Sequence, residues 1–184
     1  MNRNGRKLSG AVLLLAIALA SFAAAAITIT NITEWKVMAK HPPIVKVAGA
    51  DAQTNYVDVT TYTADDGTNR TVITIVGFTG DPTYYSDPLR ICNKDNVAYT
   101  VKLRYMGTTD TGNWQYVKYL KFWLGSNGPS LEVKQGTQIE TESGEISLDG
   151  DSCVAVPVEV LVTPDAPTDE VLITVEIDVV STRS

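Results

Sequence analysis

The sequence predicts an all-β protein whose mature part folds as a single antiparallel β-sandwich. Three observations support this fold class. Several segments alternate apolar and polar residues with a period of two, turn residues separate these segments, and no segment shows sustained helical periodicity. In residues 98–105, for example, Tyr99, Val101 and Leu103 lie on one side, with polar residues between them. Such alternation indicates strands with one buried and one solvated face.

The first 26 residues have the three parts of a signal peptide: a basic start, an apolar centre and a run of small residues. These parts are Arg3, Arg6 and Lys7, then residues 11–20, then residues 21–26. The apolar centre is shorter than the roughly 20 residues that a membrane-spanning helix needs. The alternative is a retained helix of the type IV pilin kind, but Thr28 and Thr30 arrive too early for that longer apolar helix. We therefore predict that residues 1–26 are removed on export, which leaves no membrane span.

The remaining 158 residues are enough for one domain with its own core. We divide them into an N-terminal strand, residues 27–40, and a β-sandwich domain, residues 41–184. His41-Pro42-Pro43 separates the two, since proline interrupts strand pairing. Removing the leader leaves twelve basic against twenty-one acidic residues, a net charge of −9. A chain this acidic repels nucleic acid, so we expect no nucleic-acid partner.

Ten strands are predicted in the mature chain, separated by glycine, proline, asparagine and aspartate. They are Ile27–Met38, Ile44–Ala48, Asn55–Tyr62, Thr71–Phe78, Leu89–Asn93, Ala98–Met106, Tyr116–Leu124, Leu131–Lys134, Cys153–Val162 and Val171–Val180. Asp65-Asp66-Gly67 predicts a hairpin turn, because glycine accepts positive φ without strain. Gly80-Asp81-Pro82, Asn127-Gly128-Pro129 and Asp149-Gly150 predict loops for similar reasons.

The two cysteines, Cys92 and Cys153, each lie in a predicted strand. In an exported chain such a pair predicts one disulfide; the alternative is two buried thiols. A crosslink closing a loop of about sixty residues stabilises a fold by roughly 4 kcal/mol in the chain-entropy model. Two sequons make Asn31 and Asn69 candidate glycosylation sites.

The sequence carries no recognisable catalytic machinery. Its one histidine, His41, precedes two prolines and fits a loop, and two cysteines are too few for a structural zinc site. It has no phosphate-binding loop, zinc-protease motif or nucleophile elbow. Acidic residues crowd the turns at Asp65–Asp66 and around Glu145, Asp149 and Asp151, but their spacing matches no Ca²⁺-binding EF-hand. We expect no enzyme activity, no cofactor and no metal site.

The segment that follows the leader is strand-like and apolar on one side. Its odd positions Ile27, Ile29, Trp35 and Val37 are apolar, and Ile32 is out of phase. A free terminal strand of this kind either pairs within its own sheet or completes the sheet of a neighbouring subunit, the mode called strand addition. Head-to-tail donation does not close on itself and therefore makes filaments. Periodicity alone does not distinguish these two arrangements.

Residues 78–103 resemble the signature stretch of the TasA/camelysin-like family. A Gly-Asp turn precedes a strand that ends in Asn, a short polar turn follows, and the next strand alternates Tyr, Val and Leu. The matching residues are Gly80, Asp81, Ile91, Asn93, Tyr99, Val101 and Leu103. The cysteine pair and the Pro-Pro hinge are more similar to the archaeal bundling pilins, which resemble TasA.

This resemblance implies a sandwich of jelly-roll type that polymerises by donor-strand complementation into pili or biofilm fibres outside the cell or on its surface. The donor-strand residues would then be Ile27, Ile29, Ile32, Trp35 and Val37. The partner would be a second copy of the chain, with neighbouring filaments as further partners in bundles. Camelysin relatives have been described as metallopeptidases, but the sequence lacks a zinc-ligand cluster, so we do not expect that activity.

The alternative function is a monomeric secreted or cell-surface module that binds carbohydrate or another surface. Its expected sign is an exposed aromatic platform, and one cluster of rings is the candidate. The cluster consists of Trp114, Tyr116, Tyr119, Phe122 and Trp123. Aromatic residues in strands also build cores, so the burial of these rings decides whether a platform exists.

Overall fold

The computed structural model describes residues 33–65, 69–136 and 141–184, and the chain divides into two units, Met1–Lys40 and His41–Ser184. In the first unit the described residues, 33–40, form no strand, and all their side chains are exposed. The prediction of a strand over Ile27–Met38 is therefore wrong for residues 33–38 of the single chain, and residues 27–32 lie outside the described part. The physical reason is that an extended segment becomes a strand only when another backbone pairs with its N–H and C=O groups.

The second unit is all-β, as the sequence predicts. Its described residues form twelve strands: β1 (Ile44–Ala48), β2 (Val57–Thr63), β3 (Asn69–Ile75), β4 (Pro82–Tyr85), β5 (Leu89–Asn93), β6 (Tyr99–Asp110), β7 (Val117–Trp123), β8 (Ser130–Val133), β9 (Ile146–Leu148), β10 (Cys153–Ala155), β11 (Val158–Val162) and β12 (Thr174–Arg183). Two short 3₁₀ helices, Ala50–Gln53 and Trp114–Tyr116, interrupt them.

The strands pair in antiparallel sheets. One sheet has the order β1-β5-β10, a second β4-β11-β7-β8 and a third β12-β6-β9, while β2 and β3 form a two-stranded ribbon. The ribbon agrees with the predicted hairpin, because Thr63 pairs with Asn69 on the two sides of the predicted turn. Asp66 and Gly67 of that turn lie outside the described residues.

Two apolar clusters fill the space between the sheets. The first contains Leu89, Ile91, Val101, Leu103, Leu124, Leu131, Leu148 and Val156. The second contains Val117, Leu120, Val158, Val160, Val162 and Ala166. The first cluster draws side chains from three sheets, whereas the second, apart from Ala166, comes from β7 and β11 of one sheet and has Ile75 of β3 and Val175 of β12 packed against it. The sheets therefore depend on one another for burial of their apolar faces.

Most predicted strands are present with boundaries shifted by a few residues, but two strands have no counterpart in the prediction. β4 begins at Pro82 inside a predicted loop, and β9 has only three residues. The predicted strand Cys153–Val162 is two strands, because Pro157 lacks a backbone N–H and the chain changes partners there. Cys153–Ala155 pairs with β5, whereas Val158–Val162 lies between β4 and β7.

The predicted disulfide is confirmed. Cys92 and Cys153 lie directly opposite each other in the β5–β10 pair, and the bond joins residues 61 positions apart. A disulfide of this kind fits an exported protein, since thiols stay reduced in most intracellular compartments. Within the described residues, no helix has the length and apolar character to cross a membrane.

Candidate functional site

Two of the five apolar residues predicted to anchor the donor strand are described, and both are open to solvent. Trp35 is 86% exposed and Val37 is 96% exposed. Beside them Glu34 and Lys36 form an exposed ion pair, with 3.5 Å between carboxylate oxygen and ammonium nitrogen. Large apolar side chains in water favour association, because each gains free energy when a partner buries it. Ile27, Ile29, Ile32 and the sequon Asn31 lie outside the described residues.

β12 is the longest strand whose second edge is free among the described strands. It pairs with β6 from Thr174, opposite Asp110, to Arg183, opposite Tyr99, and stands at the end of its sheet. A free edge presents unpaired N–H and C=O groups, which are a template for pairing with another chain. Most free edges in proteins are short, covered or bent, whereas this one runs for ten residues.

The inward face of β12 is apolar but only half-buried. Val175, Ile177 and Val179 pack against the two core clusters and yet stay partly exposed. On the neighbouring strand β6, Val101 is 0% exposed and Leu103 is 2% exposed. The core is therefore fully covered at Val101 and Leu103 of β6, and only partly covered at Tyr105 of β6 and along β12.

The β2–β3 ribbon lies near this edge without pairing to it. The guanidinium of Arg70 on β3 reaches Glu176 on β12, with 3.5 Å between nitrogen and oxygen. At the inner end of the ribbon Val59 and Ile75 pack against the core clusters. Beyond Thr60 the side chains of β2 are exposed. A two-stranded ribbon is marginally stable alone, so its core contacts and the Arg70–Glu176 ion pair contribute to holding it in place.

An aromatic and charged surface lies on the outer face of the β4-β11-β7-β8 sheet. The ring of Tyr84 meets that of Trp123 edge to face at 5.9 Å between centroids, and the Lys121 ammonium lies 5.0 Å from the Trp123 ring. The phenol of Tyr119 donates a hydrogen bond of 2.5 Å to the Glu159 carboxylate. We call these five residues the outer aromatic surface.

Tyr119 has a perturbed acidity within this surface. Its hydrogen bond to the Glu159 carboxylate raises the pKa of the Tyr119 phenol to about 12, with partial burial and the negative charge of Glu159 adding to the effect. The phenol therefore stays protonated, and stays a donor, through the whole physiological pH range.

The predicted aromatic cluster is divided between core and surface. Trp114 is buried, and Tyr116 and Phe122 pack against the core, so three of the five rings form no platform. Tyr119 and Trp123 do lie on the outer face. Tyr84 joins them from β4, a strand that the sequence does not predict, although alternation of exposed Tyr84 and buried Tyr85 marks it. The outer aromatic surface therefore contains fewer of the predicted rings than the sequence suggests, and it includes one ring, that of Tyr84, from outside the predicted cluster.

Asn93, one of the residues that carry the family resemblance, is a buried polar residue at the centre of a group of hydrogen bonds. Its side chain is among the most buried in the protein, and its amide group donates to the carbonyl oxygens of Val97, Leu148 and Asp149 at 2.7, 3.2 and 3.0 Å. Its amide oxygen accepts from the backbone N–H of Asp95 at 3.0 Å. Asn93 thus ties the end of β5 to the turn before β6 and to the end of β9.

The remaining candidates show no assembled chemistry. His41 is exposed, and in the described part of the chain no three His, Cys, Asp or Glu side chains group closely enough to hold a metal ion. Of the acidic turn residues, Glu145 has a carboxylate oxygen 3.7 Å from the Lys102 ammonium nitrogen. Asp151 adopts a left-handed backbone conformation with φ 54°. The second sequon, Asn69, is the first residue of β3.

Neither a family model nor a curated protein matches this chain. The resemblance of residues 78–103 to the TasA/camelysin-like family therefore stays a prediction from the sequence.

Proposed function

We propose that the protein is the structural subunit of an extracellular filament. In this filament the N-terminal strand of one subunit, residues 27–40, pairs with a sheet of the next subunit and completes it. The observation that carries the proposal is the exposure of Trp35 and Val37, large apolar residues that have no cover in the single chain. Such residues belong to an interface in the assembled state.

Three further features support this function. The leader, residues 1–26, predicts export, and the Cys92–Cys153 disulfide fits an oxidising environment. The body offers a long free sheet edge with a half-buried apolar face, which is what an incomplete sandwich of jelly-roll type presents. Strand addition would supply backbone hydrogen bonds for affinity and alternating side chains for register.

Negative-stain electron microscopy of the mature chain tests the proposal. We expect fibres from residues 27–184 and only globular particles from a variant lacking Ile27–Ile32, because the donated strand would lose its apolar anchors. Each isoleucine buried in the neighbour contributes about 1.5–3 kcal/mol to the contact.

A matched pair of variants separates the apolar face of this segment from its polar face. Ile27→Asp with Ile29→Asp should abolish fibres, whereas Thr28→Asp with Thr30→Asp adds the same charges to the opposite face and should leave assembly intact. Fibres from the isoleucine variant, or long fibres from the deletion variant, would refute strand donation.

The outer aromatic surface favours a second candidate function, a secreted carbohydrate-binding module. Sugar rings stack on exposed aromatic faces, and Tyr84 is 49% exposed. Against this, the Trp123 ring already contacts Lys121 and Tyr84, which leaves less of it open for stacking. A glycan array probed with the mature chain and with Tyr84→Ala tests it: binding that is lost in the variant would support this function over the filament.

A further inference from the structure

We propose that the free edge of β12 is the acceptor for the N-terminal strand of a second copy, which would lie beside β12 opposite β6. This inference rests on the proposed function and adds which surface of the body receives the strand. The occupant is the segment Ile27–Val37 of another subunit.

The burial gradient across the sheet is the first argument. The gradient is clear where Val179 of β12 is half-buried beside Leu103 of β6, which is 2% exposed. Ile177 of β12 and its neighbour Tyr105 of β6 are both half-buried and both pack against the first core cluster. A further strand beside β12 would cover the open flank of Val175, Ile177 and Val179. Burying apolar surface that is already packed on one side is favourable, because little additional side-chain entropy is lost.

Strand length is the second argument. The segment Ile27–Val37 has eleven residues and β12 has ten, so the two match along nearly their whole length. Apart from β2 and β3 of the ribbon, the other strands at sheet ends in the described part have three to five residues; they are β1, β10, β4, β8 and β9. None of these short edges can pair with more than half of the donated segment.

The β2–β3 ribbon is the third argument. Its edges are seven residues long, but Val57 on its inner face is 3% exposed, so a strand added there would bury little more of the inner end. The ribbon contacts β12 through the Arg70–Glu176 ion pair, and among the described residues no ladder of hydrogen bonds joins the two.

Disulfide crosslinking in assembled fibres tests the inference. Thr30 lies on the polar face of the donated segment, and Glu176, Asp178 and Val180 lie on the outward face of β12, so cysteines at these places would be neighbours across the new strand pair. Thr30→Cys is combined in turn with Glu176→Cys, Asp178→Cys and Val180→Cys. The three positions span about 13 Å of strand, which covers both strand directions and small register shifts. Cβ atoms of directly opposite residues lie about 4.5–5.5 Å apart, close enough for a disulfide.

The matched control places the second cysteine on another free edge. Thr30→Cys is combined with Glu132→Cys on the outward face of β8, a four-residue edge strand. After assembly and mild oxidation, we expect a ladder of covalent multimers on a denaturing, non-reducing gel from at least one β12 pair and none from the β8 pair. A ladder from the β8 pair alone, or a disulfide that joins the two introduced cysteines within one chain, would overturn the inference.

The same samples separate this inference from the proposed function. Fibres in the microscope without any β12 crosslink would refute β12 as the acceptor and leave the filament intact, whereas a parent chain that never forms fibres would refute both. If the cysteine variants do not assemble, hydrogen exchange of the unmodified chain gives the readout. Amides of β12 should gain protection on assembly while those of β8 do not, and unchanged exchange of β12 would contradict the inference.

Discussion

At the scale of single residues, Asn93 shows how a short sequence pattern acquires a physical meaning. The asparagine at the end of β5 bonds three carbonyl oxygens and one N–H, all on turns or strand ends. Two of those carbonyls, on Leu148 and Asp149, are 55 and 56 residues away in the chain. The sequence predicts that β5 ends at Asn93, but a local pattern cannot reveal partners so distant.

Replacing Asn93 should destabilise the body more than replacing a surface asparagine. Asn93→Ala leaves buried carbonyls without a donor, which costs about 1–3 kcal/mol, and Asn93→Asp should cost more because a carboxylate would face three carbonyl oxygens. Urea unfolding measures the difference in free energy. Asn127→Asp in the exposed β7–β8 loop is the control, and equal stability of Asn93→Asp and this control would contradict the prediction.

Tyr119 predicts a pH dependence at the alkaline end. The pKa of the phenol is near 10 in an unfolded chain and about 12 in the folded protein. Since the protonated phenol is the form that the folded state favours, its contribution is complete below pH 10 and is lost as the pH rises to about 12. Tyrosinate absorbance should show a step near pH 12 that Tyr119→Phe removes. The pKa values of Tyr85 and Tyr99 are also raised, mainly by burial, so the comparison with Tyr119→Phe identifies the step.

The hydrogen bond to the Glu159 carboxylate is the main cause of the raised pKa of Tyr119, so replacing Glu159 tests that cause directly. Glu159→Gln should return the pKa of Tyr119 toward 10, because the charged acceptor is lost. Tyr62→Phe on the exposed ribbon should leave the late titration in place. A step near pH 12 that is unchanged in Glu159→Gln and absent from Tyr119→Phe would show that the Glu159 carboxylate is not responsible.

At the scale of strands and loops, the sequence predicts long alternating strands well and short or interrupted ones poorly. β1 and β5 have the predicted bounds, whereas β4 and β9 have three or four residues, too few for a period of two to be recognised. Pro157 can be read from the sequence. Its place between two strands of different sheets cannot, because that depends on which strands pair with β10 and with β11. The exposure of residues 33–40 likewise does not follow from their sequence, because a pattern within the segment does not reveal whether another strand pairs with it.

The loop between β7 and β8 requires a glycine at position 128, because there is no space for a side chain there. A Cβ on Gly128 would collide with the carbonyl oxygen of Leu124 in the loop between β7 and β8. Gly128→Ala should therefore shift this backbone and cost at least about 2 kcal/mol in unfolding free energy. Gly112 is the matched control, because a Cβ there would lie 3.5 Å from the nearest atom, the Asp110 Oδ1, and Gly112→Ala should stay within about 0.5 kcal/mol of the parent. Thermal unfolding compares the two, and equal losses would mean that the loop adapts.

At the scale of the whole molecule, charge opposes the proposed assembly. Residues 27–184 carry a net charge of −9, so identical chains repel one another before any strand could be exchanged. The screening length falls from about 30 Å at 0.01 M salt to about 8 Å at 0.15 M. Filament growth should therefore accelerate over this range, as light scattering would measure. Growth that slows as salt is added would mean that attraction between opposite charges at the contact dominates.

The fold class, most strands and the disulfide follow from the sequence, because they depend on alternation, turn residues and the compartment. How the sheets divide the strands does not follow, since β6 and β12 pair across some seventy residues of chain. The candidate site is likewise only partly predictable from the sequence. The apolar stripe of residues 27–37 can be read from the sequence, but the half-buried edge strand β12, which could receive that segment, is known only from the folded sheets.

The position of the disulfide also limits how far the molecule can lengthen under tension. When a pulling force acts on the two ends of the chain, strands outside the bonded pair can peel away, but the stretch between Cys92 and Cys153 stays a closed covalent loop. At about 3.4 Å per extended residue, the 61 residues of this loop correspond to roughly 200 Å of chain that cannot extend while the disulfide is intact. A reducing agent would release that length, so a single-molecule force trace distinguishes the bonded subunit from the reduced one by the size of its extension.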